Sequence, residues 1–478
     1  MIERKHVHFI GICGTAMAPL AKALRDQGWR VTGSDKGIFP PMSDYLKQNA
    51  IDFYVGFHPE RMGNPQLVVV GNYIGTSNPE YVAVRERGIP FHSYPEILSQ
   101  FLIRHESIIV AGTYGKTLTT ALLAWIWEMA DRRPSYMVGG LVRNFQDGVR
   151  IADSQWSVVE GDEYPSSRWN LVPKFSYYRP KYVLLTGAAW DHADVYTTEE
   201  SYLKVFNMLI RSIPPEGLIV AAMERPHTST VLEEARASVL SYNRRGEGYA
   251  DWSLEILARD KNGVTLTFHG ARGETIGPCH CSVLGDLNLD HFAGAVGLAR
   301  YCGIPTDAIL RAVETFKGVR RRMEVRGNIQ EVTVVDDFAH SPAKAATTLK
   351  GLRLHFPHSK IIAVFEPNVG NRVASTEPLY QNAFRDADVV MIPRLSIAKT
   401  GKDEEERMDG VKLATVIQAG RGSTSSSSKG VMYEPEDGTL VARITKIAQP
   451  GDVVVFMGSH GFRGMIEQTL TALSSSRA

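Results

Sequence analysis

The sequence predicts an α/β protein built from three domains. Apolar runs of strand length alternate with helix-like patterns along most of the chain, and several of these runs end in glycine or acidic residues. That arrangement is typical of parallel sheets whose carboxyl ends bind ligands. Between residues 253 and 270, polar and apolar residues alternate, which predicts extra antiparallel strands beside the parallel ones. A length of 478 residues is also more than one hydrophobic core ordinarily accommodates.

Residues 1–104 are predicted to form a Rossmann-like first domain. A strand over residues 7–10, a glycine turn, a helix over residues 18–27 and a strand over residues 30–32 make a βαβ unit. The turn resembles a dinucleotide-binding fingerprint, but its third glycine is missing. The turn predicts a diphosphate-binding site at the start of the first helix, in addition to the triphosphate site described below. The residues of that site are expected to be Gly11, Cys13, Gly14, Thr15 and Asp35.

The stretch AGTYGKT predicts that a second domain, over residues 105–322, is of the phosphate-loop ATPase type. A strand, a turn and a helical pattern follow one another, although Val110 stands where the strict loop pattern has its first glycine. Backbone N–H groups at the helix start, the Lys116 ammonium and the Thr117 hydroxyl suit phosphate oxygens and Mg²⁺. The alternative is a chance glycine turn before a helix. We expect a triphosphate to be bound by Gly112, Thr113, Tyr114, Gly115, Lys116 and Thr117.

Acidic residues follow two later strand-like runs of the same domain. Glu160, Asp162 and Glu163 follow the first run, and Asp191 and His192 follow the second. A carboxylate cluster is most often a solvated turn, and a lone histidine is most often structural. Here both lie at the carboxyl ends of strands in the sheet that carries the loop, where a cation bridging phosphates needs ligands. We therefore expect Glu160 and His192 to bind metal or substrate.

The third domain, over residues 323–478, is predicted to be another Rossmann-like α/β unit. Its apolar runs end in polar or glycine residues, and one of them ends in Asp336 and Asp337, either of which suits a ribose hydroxyl. Three consecutive arginines, residues 320–322, precede this domain. A basic run is most often a solvated face, but an arginine at a domain hinge could also reach a transferring phosphoryl group.

Composition narrows the class of partner. The 53 basic and 52 acidic residues leave a formal net charge of +1, which gives no electrostatic case for nucleic acid or an anionic membrane. No apolar run approaches the ~20 residues of a membrane span, so we expect a soluble cytoplasmic protein. The four cysteines are too few and too scattered for a disulfide framework, and Cys279 and Cys281 lack a second ligand pair, so free thiols are expected. The sequence does not give the oligomeric state, and we expect a monomer.

The order of the motifs resembles that of the Mur ligases, ATP-dependent enzymes that form amide bonds in cell-wall peptide assembly. The series comprises the glycine turn with GSD, AGTxGKT, ExDE, DH, the paired arginines and DDxAH. The similarity spans nearly the whole chain, and the series is far more specific than any single motif. Further stretches, including GSDKGIFPPMSDYL, KFSYYRPKYVLL and DHADVY, resemble the members that join UDP-N-acetylmuramate to the murein tripeptide L-alanyl-γ-D-glutamyl-meso-diaminopimelate.

The resemblance implies a reaction in two steps. ATP phosphorylates a lactyl carboxylate, and the α-amine of the peptide then displaces phosphate to form the amide. Because two anions are brought together, neutralisation of charge is expected to dominate catalysis. The resemblance implies that Lys116 contacts the γ phosphate, that Thr117 and Glu160 bind Mg²⁺ and that His192 supports a second Mg²⁺. It also implies that Arg322 reaches the phosphates.

The same resemblance implies the binding residues. Asn288 is expected near the adenine of ATP and Asp337 at its ribose. The glycine turn of the first domain is expected to hold the diphosphate of the UDP-sugar. The peptide site is expected to include Asn368, Asn371 and Arg372.

Several positions depart from the family pattern. Tyr114 and Leu118 replace a histidine and a threonine of the loop, and residues 187–190 lack the usual asparagine and glutamate before Asp191. The adenine motif keeps one of its two asparagines, and Asn368 stands where an arginine is usual. The core phosphoryl-transfer set remains, whereas its supporting residues differ.

Three other functions remain open at this level. A ligase that adds L-alanine to the same UDP-sugar would share the chemistry and differ in the acceptor. A catalytically reduced homologue could bind UDP-sugars or muropeptides as a sensor, because groups before Asp191 are lost. A plain kinase or NTPase is disfavoured, since it explains neither the first nor the third domain.

Overall fold

A computed structural model of the chain describes residues 5–39, 42–190, 195–396, 407–421 and 430–475, except for the side chains of residues 286–288. Its strands form three sheets. The described chain divides into two compact units. The first comprises residues 1–255, 266–279 and 288–317, and the second comprises residues 256–265, 280–287 and 318–478. The three domain boundaries remain a prediction.

The first sheet confirms the predicted βαβ unit. Its parallel strands are β1 (His6–Ile10), β2 (Arg30–Asp35), β3 (Asp52–Val55), β4 (Leu67–Val70) and β5 (Phe91–Ser93). Its helices are α1 (Met17–Asp26), α2 (Met42–Gln48), α3 (Pro79–Glu86) and α4 (Tyr94–Phe101). The strand order β3-β2-β1-β4-β5 reverses direction at β1. The turn after β1 therefore lies at the topological switch point, where open α/β sheets bind ligands.

The second sheet carries the phosphate loop. Its strands are β6 (Glu106–Ala111), β7 (Ser135–Met137), β8 (Val149–Arg150), β9 (Trp156–Glu160), β10 (Tyr182–Leu185), β11 (Leu218–Ala222), β12 (Ser238–Arg244), β13 (Trp252–Asp260), β14 (Gly263–Gly270) and β15 (Thr275–Cys281). The accompanying helices are α5 (Lys116–Met129), α6 (Glu199–Arg211), α7 (Thr228–Leu232), α8 (Asp286–Tyr301) and α9 (Thr306–Thr315). The strand order is β15-β14-β13-β12-β11-β10-β6-β9-β7-β8.

This order explains which predicted groups can meet. β6 lies between β9 and β10 and is parallel to both, so residues that come after these three strands share one edge of the sheet. The predicted antiparallel strands are also present, because β13 and β14 are neighbours joined by two residues.

The third sheet has the order β16-β17-β21-β18-β19-β20. Its strands are β16 (Glu324–Ile329), β17 (Val332–Asp337), β18 (Ile361–Glu366), β19 (Val389–Ile392), β20 (Val431–Tyr433) and β21 (Val453–Gly458), and β16 alone of these pairs antiparallel with its neighbour. The helices are α10 (Pro342–His355), α11 (Gly410–Gly420), α12 (Asp437–Ile447) and α13 (Met465–Ser475).

The core forms around the apolar central strands. Every residue of β1, β4, β10, β18 and β21 is buried, as expected for parallel strands covered by helices on both faces. Burial of each large aliphatic side chain stabilises the fold by about 1.5–3 kcal/mol, so these strands fix the positions of the loops at their ends. In the part of the chain that the structure describes, no helix is long and apolar enough to cross a membrane.

Candidate active site

The predicted phosphate loop joins the end of β6 to the start of α5. Gly112 has a φ of +126°, and a Cβ at this position would collide with the Thr186 hydroxyl oxygen. Gly115, with a φ of +79°, is the N-cap of α5. Both conformations favour glycine, and a glycine N-cap has no side chain to occupy the first-turn N–H groups. These N–H groups and the helix dipole suit an anion such as a phosphate.

The segment before His192 holds the loop through its backbone. Thr113 donates from its N–H to the Gly187 carbonyl at 3.2 Å and from its hydroxyl to the Ala189 carbonyl at 2.6 Å. Gly187 and Ala189 therefore position the loop, although residues 187–190 lack the amide and carboxylate side chains that the resemblance to the family leads one to expect there. His192 lies outside the described residues, so its predicted role in binding metal stays a prediction.

Lys116, the first residue of α5, is bound to a carboxylate that the sequence did not assign to it. Its Nζ lies 3.0 Å and 2.9 Å from the two carboxylate oxygens of Glu163, and 2.5 Å from the Gly112 carbonyl oxygen. The Glu163 side chain is fully buried. Burial alone would lower the pKa of Lys116, but the nearby carboxylates of Glu163, Asp162 and Glu160 raise it above its ordinary value. The lysine is accordingly a partly buried cation that lies beside Glu163.

Thr117 and Glu160 form the expected pair of oxygen groups. The Thr117 hydroxyl donates to Glu160 Oε1 at 2.8 Å, and the Gly139 N–H donates to Glu160 Oε2 at 2.7 Å. A hydroxyl and a carboxylate side by side at a phosphate loop fit Mg²⁺, which usually binds one or two carboxylates together with phosphate oxygens and water. Among the described residues, no three His, Cys, Asp or Glu side chains converge on one point.

Asp162, the middle acid of the cluster, is paired with a second lysine. Lys174 Nζ lies 2.5 Å from Asp162 Oδ2, and the Tyr164 N–H donates to Asp162 Oδ1 at 3.1 Å. Although burial opposes the charged form, Lys174 and Lys116 hold the pKa of Asp162 below its usual value. Each acid of the cluster thus has a different partner: Thr117 for Glu160, Lys174 for Asp162 and Lys116 for Glu163.

The start of α8 carries the altered adenine motif. The side chain of Asn288 lies outside the described set, so its predicted contact with adenine stays a prediction. Two residues on, the buried Asp290 binds Arg225 at 2.9 Å and Arg244 at 2.6 Å. The next residue, His291, shares a hydrogen bond of 2.8 Å with the Tyr242 hydroxyl, and burial lowers the pKa of His291 to about 3.

The glycine turn of the first domain is folded around Asp35. The Cys13 N–H donates to Asp35 Oδ2 at 2.9 Å, and the Gly11 N–H donates to the Ser34 carbonyl at 2.8 Å. Gly14 and the exposed Thr15 lie between this contact and the start of α1. All five predicted residues therefore meet at the carboxyl ends of β1 and β2. Partial burial and the Asp35 charge raise the pKa of Cys13 to about 11, so its thiol is protonated at neutral pH.

In the second unit, the neighbouring arginines 321 and 322 have different environments. Arg321 donates to the carbonyls of Gly458, Ser459 and His460 at 2.6–3.2 Å, and its Nε lies 3.5 Å from Asp336. The guanidinium groups of Arg321 and Arg322 both lie over the Phe338 ring at 5.2 Å. The charge of Arg322 also acts on the buried Asp337. Arg321 therefore joins β21 to the segment before β16. Arg322, the residue predicted to reach phosphate, shares the ring contact but binds none of these three carbonyls.

Asp337, predicted to bind ribose, already accepts three hydrogen bonds from the protein. They come from the N–H groups of Met323 and Ala339 and from the Thr348 hydroxyl, at 2.7–3.0 Å. Burial raises the pKa of Asp337. The carboxylate therefore orders its surroundings, and a ribose contact would have to use its remaining lone pairs.

The predicted peptide residues come after β18. Asn368 accepts hydrogen bonds from the N–H and the side chain of Asn371, which also donates to the His340 carbonyl at 3.3 Å. Arg372 is 6% exposed and donates to the Ser396 carbonyl at 2.6 Å, but its Nε has no hydrogen-bond partner among the described residues. Glu366, at the end of β18, is also buried and binds Ser396 and Arg463. These polar groups share the carboxyl edge of the third sheet.

Sequence reasoning missed the second member of several pairs. Glu163 lies in the acidic motif after β9, and its position at a strand end was a signal that could have linked it to Lys116. Lys174 lies 12 residues from Asp162, and this separation alone does not show that the two side chains meet. Glu366 begins the EPNVGN stretch that was associated with peptide binding, but no role was assigned to it.

In chain order, the sheet with the glycine turn comes first, the sheet with the phosphate loop and its hydroxyl–carboxylate pair second, and another α/β sheet third. This combination is typical of a multidomain, nucleotide-dependent enzyme. Three family models match in that order: the Mur ligase family catalytic domain over residues 6–106, the Mur ligase middle domain over residues 110–299, and the Mur ligase glutamate ligase domain over residues 321–460. The chain belongs to the Mur ligase family. Enzymes of this family are ligases that form carbon–nitrogen bonds and use ATP.

Individual relatives cover almost the full chain. The UDP-N-acetylmuramate–L-alanyl-γ-D-glutamyl-meso-2,6-diaminoheptandioate ligase of Escherichia coli K12 is 31% identical over 98% of both chains. The UDP-N-acetylmuramate–L-alanine ligase of Pelotomaculum thermopropionicum is 29% identical over 96% of this chain and 95% of its own. The crystal structure of a murein peptide ligase from Psychrobacter arcticus 273-4 matches with a TM-score of 0.68 and 28% identity, covering 99% of this chain and all of the other.

Proposed function

We propose that this chain joins UDP-N-acetylmuramate to the tripeptide L-alanyl-γ-D-glutamyl-meso-diaminopimelate, with conversion of ATP to ADP and phosphate. The observation that carries the proposal is the phosphate loop, where Lys116 lies beside the Thr117–Glu160 pair. The whole-chain likeness to the E. coli ligase, whose name states these two substrates, supports the choice of acceptor. Because ATP and UDP-sugars are intracellular metabolites, we infer that the reaction takes place in the cytoplasm.

The proposed chemistry has two displacements. An oxygen of the lactyl carboxylate attacks the γ phosphorus, the bond to the β–γ bridging oxygen breaks, and ADP leaves. The neutral α-amine of the peptide then attacks the acyl carbon. The bond between this carbon and the phosphate oxygen breaks, inorganic phosphate leaves, and the nitrogen loses a proton to water.

The residues of the loop suit the first displacement. The carboxylate and the triphosphate repel each other, so fixed cations that neutralise developing charge lower the barrier. We assign this neutralising role to Lys116, which lies beside the turn, and a similar role to Arg322. Thr117 and Glu160 would hold Mg²⁺, which when bound withdraws charge from phosphate oxygens. We assign a second Mg²⁺ to His192.

The remaining assignments concern substrate binding. Gly11, Gly14 and the turn that Asp35 closes would hold the UDP diphosphate through backbone N–H groups. Asn288 would contact the adenine, and Asp337 the ribose, through an acceptor lone pair that its three internal hydrogen bonds leave available.

The peptide acceptor carries several carboxylates, and the edge of the third sheet offers a matching cation. Arg372 is buried and keeps its Nε unpaired among the described residues, so a carboxylate there would supply a missing acceptor. Asn368 and Asn371 are bound to each other in a way that orders the turn before Arg372. We therefore assign recognition of a peptide carboxylate to Arg372 and support of this site to the two asparagines.

A second candidate is ligation of L-alanine alone, since the P. thermopropionicum relative is nearly as similar over the same length. The decisive experiment measures ADP release by the purified chain with ATP, Mg²⁺ and UDP-N-acetylmuramate, and compares tripeptide with free L-alanine. We expect release that depends on the tripeptide. Release with L-alanine alone would establish the second candidate instead.

The same assay tests a non-catalytic role. If the chain bound UDP-N-acetylmuramate or tripeptide in calorimetry but released no acceptor-dependent ADP, it would act as a binding protein. The ligase proposal would then be wrong.

A further inference from the structure

The contact between Lys116 and Glu163 uses the full capacity of the lysine. An ammonium has three N–H donors, and Lys116 Nζ contacts three oxygens, namely both carboxylate oxygens of Glu163 and the Gly112 carbonyl oxygen. A phosphate that accepts a hydrogen bond from this ammonium must therefore replace at least one of these partners.

Glu163 itself is fixed in place. Its side chain is completely buried, the Tyr196 hydroxyl donates to its backbone carbonyl, and the Tyr202 hydroxyl lies 3.4 Å from Oε1. Lys116, in contrast, has a flexible four-carbon stem and some exposure. When the pair separates, the lysine is thus the partner that moves.

From this geometry we infer that Glu163 is a positioning residue that binds the Lys116 ammonium and yields it to the β and γ phosphates of ATP. The inference rests on the proposed use of ATP and adds a competitor for the lysine within the protein. It separates Glu163 from Glu160, which pairs with Thr117 and not with the lysine.

The pair of Asp162 and Lys174 provides a comparison inside the same cluster. Asp162 carries the same charge as Glu163 and lies one residue away, but its oxygens bind Lys174 and the Tyr164 N–H. Removal of either charge reduces the general repulsion of phosphate. Only removal of the Glu163 charge also releases Lys116.

The test measures dissociation constants for AMP and for a non-hydrolysable ATP analogue by calorimetry with the full-length chain and Mg²⁺. For Glu163→Gln we expect binding of the ATP analogue to be at least fivefold tighter than in the wild type, with AMP binding unchanged, because AMP lacks the phosphates that Lys116 reaches. For Asp162→Asn we expect less than half of this gain. Equal or weaker binding of the ATP analogue by folded Glu163→Gln would overturn the inference, as would equal tightening of AMP.

A double-mutant cycle separates competition from a structural role. In a Lys116→Ala background, Glu163→Gln should tighten binding no more than Asp162→Asn does in the wild type, since no ammonium remains to be released and only the general repulsion is reduced. If Glu163→Gln does not fold, Glu163→Asp replaces it; its shorter carboxylate should give a smaller gain of the same sign, and no gain would count against the inference. A wild-type chain that binds no ATP analogue would overturn the proposed function together with this inference, whereas binding without the expected gain would overturn the inference alone.

Discussion

The phosphate loop and the carboxyl edge of the third sheet both present cations beside buried acids, but they position them differently. At the loop, Lys116 and Thr117 are adjacent, and their acidic partners lie at or just after the end of the neighbouring strand β9. At the third sheet, Arg321 is bound to carbonyls about 138 residues further along the chain. A short motif therefore specifies most of the first arrangement, whereas the second depends on tertiary pairing.

The adjacent arginines show the consequence of this difference. In sequence, residues 321 and 322 are equivalent members of a basic run. In the structure, both guanidinium groups lie over the Phe338 ring, but of the two only Arg321 also binds three backbone carbonyls and Asp336. The backbone contacts of Arg321 are those of a structural residue. Substitution of Arg321 should therefore lower stability, whereas substitution of Arg322 should lower activity.

The largest expected effect is at the loop. Lys116→Ala should lower kcat/KM for ATP by ~10³-fold or more, because it removes the cation that we propose neutralises the transferring phosphate. Circular dichroism and thermal unfolding should show a folded protein. Because Glu163 is left without its partner, Lys116→Ala combined with Glu163→Gln serves as a control that restores charge balance. Activity near that of the wild type in either variant would show that the loop is not the ATP site.

The next effect distinguishes the two arginines. Arg322→Ala should lower kcat by ~10²-fold with little change in melting temperature. Arg321→Ala should instead lower the free energy of unfolding by about 3 kcal/mol, because it leaves carbonyls and the buried Asp336 short of a partner. The two variants are each other's controls in a joint measurement of steady-state kinetics and denaturant unfolding. The reverse pattern would assign phosphate contact to Arg321.

A smaller and more selective effect is expected at the peptide site. Arg372→Lys keeps the charge but loses the planar fork, and should raise KM for the tripeptide about tenfold while KM for ATP stays constant. Arg353→Lys is a matched control, because Arg353 binds Asp388 and backbone carbonyls beyond the residues assigned to the peptide. A parallel rise in both KM values after Arg372→Lys would indicate general loss of structure.

The smallest effect concerns pH. The folded pKa of His291, about 3, lies below the unfolded value of about 6.5, so the stabilisation from the neutral ring is complete above pH 6.5 and is lost as pH falls towards 3. At pH 5 the loss should be about 2 kcal/mol. His291→Asn removes this titration, and urea unfolding at pH 7.5 and pH 5 should show a smaller decrease for the variant. An identical decrease in both proteins would mean that His291 does not titrate as described.

Much of the site could be predicted because its signals are local. The apolar run before Gly112, the left-handed glycines and the Lys116–Thr117 pair lie within ten residues, and the strand, turn and helix are present where the pattern placed them. The turn around Asp35 was predictable for the same reason. Strand ends also indicated that Glu160 would meet the loop, since β9 and β6 are parallel neighbours.

Other features could not be read from the sequence, because they depend on partners distant in the chain. Nothing in the sequence of the arginine run shows that Arg321 binds the end of β21 and that Arg322 does not. The carbonyls of Gly187 and Ala189 hold Thr113 without any side-chain signal. The partners of Asp290, which are Arg225 and Arg244, belong to two other segments of the chain. Each of these depends on sheet order, which periodicity does not give.

Transfer of the γ phosphate to a carboxylate is the central claim, and an isotope experiment tests it most directly. UDP-N-acetylmuramate labelled with ¹⁸O in its lactyl carboxylate is incubated with the chain, ATP, Mg²⁺ and tripeptide, and the released phosphate is analysed by mass spectrometry. Because the attacking carboxylate oxygen leaves with phosphorus, one ¹⁸O should appear in each phosphate formed, in step with the amide product. Phosphate without ¹⁸O would contradict an acyl-phosphate route and point to simple hydrolysis of ATP.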